Sequence, residues 1–155
     1  MKNYLLAGII SLLMIAGCSN KEDGEESKIA LLKTTDPEPV ELVDHPETES
    51  FGHAIKKELA EKKELYDVAV IQSKEQTLVV YKVKHLQRFK MKKIEKDMEK
   101  LLEDKHPGED FILSSDYKIF LETVRLKEKI QQKTISKKEA EKEFKDIIQL
   151  QKEKT

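Results

Sequence analysis

The order of apolar and polar positions divides the chain into three stretches. Tyr4 to Ala16 is an uncharged apolar run, Ser19 to Glu49 is almost wholly polar, and from Phe51 onward apolar residues recur at regular spacings. Ser50 is placed to cap a first helix carrying Phe51, Ala54, Ile55, Leu59 and Leu65 on one side, with Lys56, Lys57, Glu58, Glu61, Lys62 and Lys63 largely on the other. Val68 to Ile71 and Thr77 to Val83 are β-rich runs separated by Ser73-Lys74-Glu75-Gln76, which predicts a hairpin. Both runs are apolar at nearly every position, so at least one strand is expected to sit centrally under helices.

Leu86, Phe89, Ile94, Met98, Leu101 and Leu102 give the next predicted helix one apolar stripe, and Pro107-Gly108 ends it. Asp110 to Ser114 reads as a third strand. Ser115-Asp116 then offers acceptors to the unpaired amides of a helix that sends Tyr117, Phe120, Val124 and Ile130 toward the core. Ser136-Lys137-Lys138-Glu139 is a capping box, flanked by Ile135 and Ala140 as a staple, for a last helix that packs through Phe144, Ile147 and Ile148. Gln151 to Thr155 are expected to fray. The order helix, strand, strand, helix, strand, helix, helix predicts an α+β domain over 51–155, its helices covering one face of a small three-stranded sheet.

Charge separates the polar stretch from this domain. The whole chain of 155 residues carries a formal charge of -1, yet Ser19 to Ser50 holds ten acids against three bases, and Phe51 to Thr155 holds twenty acids against twenty-five bases. With Pro37, Pro39 and Pro46 spaced through it, the acidic stretch reads as a disordered, self-repelling tether that an anionic membrane would push away. Its apolar clusters, Ile29 to Leu32 and Val40 to Val43, are expected at most to dock locally.

The leading run has the features of an export signal. Lys2 supplies a positive start, and Ile15-Ala16-Gly17-Cys18 sets small residues before the chain's single cysteine. The run is too short to cross about 30 Å of hydrocarbon as a helix. It resembles a bacterial lipoprotein signal with its lipobox. That resemblance implies cleavage between Gly17 and Cys18, removal of residues 1–17, and acyl chains, palmitate among them, on Cys18. Such chains contribute roughly 0.8 kcal/mol per buried CH2, so two or three would hold the protein on a membrane. A lone cysteine also means no disulfide within the chain.

Asp67 to Ile71, Leu78 to Val83, the charged helix ending at His106-Pro107, and Phe111 to Phe120 follow one another in an order that resembles the YhcN/YlaJ sporulation lipoproteins of endospore-forming Gram-positive bacteria. The similarity spans about Phe51 to Lys127, and its most specific piece is the Ser-x-Asp-x-x-x-Phe junction of Ser114, Asp116 and Phe120. Tyr117 stands where the family often has proline, and the tail beyond Lys133 has no counterpart in it. The resemblance implies a protein held on the extracytoplasmic face of the cell membrane, in the forespore or the spore inner membrane, with a part in spore assembly or germination and no assigned chemistry.

The residues themselves give little support to catalysis. His45, His53, His85 and His106 are scattered without the spacing of metal ligands, and no glycine-rich phosphate loop occurs, so no metal or cofactor is expected. Ser114, Ser115 and Asp116 read as a helix cap, since adjacency supplies no base for a serine nucleophile. Arg88, Lys90, Lys92, Lys93, Lys96 and Lys100 form a basic face interspersed with Glu95, Asp97 and Glu99, which reads either as a solvated surface or as a face that meets anionic headgroups or an acidic wall polymer. Two classes of function are weighed. One is a non-enzymatic interaction module that meets spore-envelope proteins, peptidoglycan or anionic lipids; the other is a cell-wall-associated enzyme or cofactor-binding lipoprotein. Nucleic acid is not expected, because acids balance most of the domain and export removes the chain from DNA.

Overall fold

The hairpin predicted from the two apolar runs is the centre of the molecule. The computed structural model describes residues 35–42 and 50–154, and Gly17, Cys18, the leading apolar run and His45 lie outside them. Strand β2 (Leu65–Gln72) pairs antiparallel with β3 (Thr77–Val83), with Gln72 opposite Thr77 and Asp67 opposite Lys82. The turn closes through the Ser73 hydroxyl, which donates to the Gln76 carbonyl at 2.8 Å and accepts from the Gln76 amide at 3.2 Å. Strand β4 (Phe111–Ser114) runs parallel to β3, and a two-residue strand β1 (Val40–Glu41) runs parallel to β2. The sheet therefore has four strands in the order β1-β2-β3-β4, one more than expected.

Helices cover both faces of the sheet, not one. Helix α1 (Phe51–Ala60) and helix α2 (Met91–Lys105) send Ile55, Leu59, Ile94, Met98 and Leu102 against Val68, Val70, Val79 and Tyr81. Helices α3 (Tyr117–Gln131) and α4 (Lys137–Lys154) pack Phe120, Val124, Phe144 and Ile148 against Ala69, Ile71, Leu78 and Val80. The alternation of side chains along a strand explains the two layers. Leu78 and Val80 face one way, Val79 and Tyr81 the other, and all four are fully buried. Leu65, expected at the end of the first helix, opens β2 instead.

The extra strand comes from the stretch expected to be a disordered tether. Within it, Thr35 to Leu42 is bound to the domain, because Val40 and Leu42 bury their side chains beside Ile71 and the Leu42 amide donates to the Gln72 carbonyl at 2.8 Å. Helix α1 grips the same segment. Lys56 Nζ donates to the Pro37 carbonyl at 2.8 Å and pairs with Asp36 at the same distance, and His53 Nε2 lies 3.1 Å from Glu38. Gly52 permits the close approach, since a Cβ there would stand 2.9 Å from Pro39 Cβ.

Helix ends follow the sequence except at Ser50 and in the tail. Ser50 occupies the N-cap of α1, but its hydroxyl donates to Glu41 rather than to the helix amides, which fastens α1 to β1. Asp116 caps α3 by accepting from the Ile119 amide at 3.0 Å, and Ser136 and Glu139 form the reciprocal box that opens α4. The tail does not fray at Gln151: α4 runs on to Lys154, whose ammonium donates to Asp116 Oδ2 at 2.6 Å. Gly108, at φ 95°, makes the turn after α2 that a side chain would strain.

Candidate functional site

The basic face predicted from the sequence is present, but its apolar neighbours are placed differently. The chain leaves β3 through Lys84, forms a 3-10 helix over His85–Lys90, and re-enters regular helix at Met91 after Lys90 adopts φ -104° and ψ 11°. Ile94, Met98 and Leu102 recur every four residues and bury one side of α2. Phe89 stands five residues before Ile94, a step that turns about 140° off that line in helical geometry. Leu86 and Phe89, expected in the core stripe, stand on the 3-10 helix ahead of the break at Lys90 and are 80% exposed each. They are the large hydrophobic side chains left in solvent among the described residues.

All six predicted basic residues are exposed. Arg88 and Lys90 stand on the 3-10 helix beside Leu86 and Phe89, with the Lys90 ammonium 5.2 Å from the centre of the Phe89 ring. Lys92, Lys96 and Lys100 form a row at four-residue intervals along α2. Lys93 is partly neutralised, donating to Asp97 at 2.5 Å, and that hydrogen bond holds the Asp97 carboxyl below its usual range. Glu95 is shifted the other way by burial and by the neighbouring Glu99. The acids of α2 begin at Glu95, so positive charge is densest around the 3-10 helix.

A polar cleft of about 460 Å³ adjoins this shoulder, lined by Tyr66, Lys82, Arg88, Ser115, Asp116 and Tyr117 among others. Two of its charged groups, Lys82 and Asp116, are already engaged. Lys82 pairs with Asp67 at 3.3 Å and lies 4.1 Å from the centre of the Phe120 ring. Burial pushes the Asp116 carboxyl up, but the Lys154 ammonium and the α3 amides outweigh it and hold the group below its usual range. Burial raises the Tyr66 phenol against the opposing pull of Arg88, and it also raises Tyr117. Among the described residues that line the cleft, Asp116 is the carboxylate. Tyr117, expected in the core, lines this cleft instead.

The remaining candidates are dispersed. His85 is exposed, His53 meets Glu38, and His106 sits half-buried at the end of α2, 3.3 Å from Glu58 and edge-on to the Phe51 ring at 5.0 Å. Among the described residues no group of three or more His, Cys, Asp or Glu side chains is arranged to hold a metal ion. The Ser114 hydroxyl accepts from the Asp116 amide at 3.2 Å. The buried Asp67-Lys82 pair was not anticipated. Its signal was present in the hairpin, since a turn over 73–76 sets Asp67 opposite Lys82 within runs otherwise apolar.

No family model, curated protein or solved structure matches the chain. Among the described residues no helix is long and apolar enough to cross a membrane.

Proposed function

We propose that the chain is a bacterial lipoprotein, held at the extracytoplasmic face of a cell membrane by acyl groups on Cys18, whose folded domain is a non-enzymatic interaction module. The observation that carries this reading is the apolar run Tyr4 to Ala16 ending in Gly17-Cys18, with a positive start at Lys2. The resemblance to YhcN/YlaJ proteins adds a setting, the forespore or spore inner membrane, and a part in spore assembly or germination. Its candidate partners are spore-envelope proteins, peptidoglycan and anionic lipids. What supports a module over a wall enzyme is the condition of the cleft, where Asp116 is used as a cap and ion-pair partner and Lys82 by Asp67.

Two observations test the reading together. A clickable palmitate analogue should label the protein in cells and leave Cys18→Ser unlabelled, and transcription should be confined to the forespore. Labelling of the variant contradicts the lipid site. Expression through vegetative growth contradicts the sporulation role while leaving the lipid site standing.

A further inference from the structure

We propose that Leu86 and Phe89 form an apolar wedge that enters the interfacial region of an anionic bilayer, guided by Lys84, Arg88, Lys90 and Lys92. Three residues per turn set positions 86 and 89 of a 3-10 helix on the same side, so the two side chains make one ridge. Each is 80% exposed, in a domain whose other large apolar side chains are mostly covered. Removing such surface from water is favourable on entry into an apolar phase, and an exposed apolar feature rimmed by polar residues marks an interaction site.

The charge around the ridge selects the occupant. Residues 84–93 contain five lysines and arginines, one histidine and no acid, whereas acids alternate with bases along the rest of α2. A second copy docked through the same face would bring like charge against like charge, which opposes association. A bilayer rich in acidic headgroups satisfies both features at once: acyl chains receive Leu86 and Phe89 while phosphates meet the flanking ammonium and guanidinium groups. The Lys90 ammonium beside the Phe89 ring is suited to this boundary, where an aromatic side chain sits at headgroup depth. The inference rests on the proposed membrane attachment for the nearness of the bilayer, and it deepens that reading by naming the side chains that touch the lipid.

The chain has no tryptophan, so Phe89→Trp installs a single fluorophore at the ridge. The full-length lipoprotein carrying it is reconstituted into phosphatidylglycerol vesicles and into phosphatidylcholine vesicles, each with brominated acyl chains. In the anionic vesicles the emission should shift to the blue and lose most of its intensity, in the neutral vesicles it should lose little, and high salt should reverse the difference. A control, Lys138→Trp on α4 at the opposite sheet face, should stay solvent-like in both. Adding Lys90→Glu/Lys92→Glu/Lys93→Glu to Phe89→Trp should abolish the quenching, with an unchanged thermal melt showing that the fold is intact. Solvent-like, unquenched emission in anionic vesicles overturns the wedge. Equal quenching in both vesicle types overturns the role of charge. A blue shift that grows with protein concentration in the absence of lipid overturns it in favour of self-association. The intact mass of the same sample reports acylation, so loss of the lipid group counts against the proposed function without obscuring the quenching result.

Discussion

Lys82 Nζ lies 3.3 Å from Asp67 Oδ2 inside the domain, with the two side chains 5% and 0% exposed. The pair also organises the chain's entry into the fold. The same carboxylate accepts from the Thr35 amide at 2.9 Å, the Thr35 hydroxyl at 2.8 Å and the Asp36 amide at 3.2 Å. A carboxylate that satisfies four donors while buried is a joint between the sheet and the segment that leads to the proposed tether.

Asp67→Ala should therefore be much more damaging than Lys82→Met. Truncating the acid removes the carboxylate that pairs with Lys82 and strands the Thr35 and Asp36 donors, a change of about 3 to 5 kcal/mol for a broken buried pair. Methionine at 82 keeps the apolar stem against Phe120 and leaves Asp67 its three donors from Thr35 and Asp36. Urea unfolding at neutral pH checks the order, and equal midpoints for the two variants contradict it.

Gly52→Ala should loosen the lead-in segment. The added methyl carbon would stand 2.9 Å from Pro39 Cβ, so either α1 or the segment must shift, at a cost of about 1 to 3 kcal/mol for overpacking. Proteolysis should then cut near Thr35 to Leu42 faster than in the wild type. Unchanged cleavage with unchanged stability would mean that the contact relaxes freely.

Two titrations should be visible in stability against pH. Asp116 has a folded pKa held below its ordinary value of 3.8, so its contribution is present above that value and is lost as the pH falls through the depressed one. Asp116→Asn should keep the cap and remove this acid dependence, while Asp116→Ala should cost about 1 kcal/mol at neutral pH. An unaltered acid limb in the asparagine variant contradicts the assignment.

At the other extreme, burial and then the Glu95 carboxylate push the Tyr81 phenol from 10.0 up to about 12. A raised folded pKa gives stability that is complete below 10.0 and lost as the pH climbs toward 12, by roughly 3 kcal/mol for such a shift. Tyr81→Phe should flatten that alkaline decline in a pH series of thermal melts. A decline as steep as in the wild type assigns it elsewhere.

Much of this architecture is legible in the chain. The runs Val68 to Ile71 and Thr77 to Val83 specify a buried hairpin, and Asp116 and Ser136 mark helix starts that the structure keeps. Strand β1 is not legible in the same way, because two paired residues among acids and prolines carry no period; their place depends on Asp67, Lys56 and Gly52, far along the chain. The exposure of Leu86 and Phe89 comes from the 3-10 helix over His85–Lys90 and the break at Lys90, which separate both from the line of Ile94, Met98 and Leu102; spacing alone keeps Leu86 in step with that line, so treating all five as one stripe overlooks the break. The cleft beside Arg88 needs Tyr66, Lys82 and Asp116 from three separate elements, and no local pattern announces such a meeting.

Attachment through Cys18 is the claim on which the functional account turns. The direct measurement is fractionation of cells expressing the wild type or Cys18→Ser, with the membranes washed at high salt to remove proteins held by charge alone. Wild-type protein should stay with the washed membranes and Cys18→Ser should move to the soluble fraction. Equal retention of both after the wash would contradict the lipid anchor.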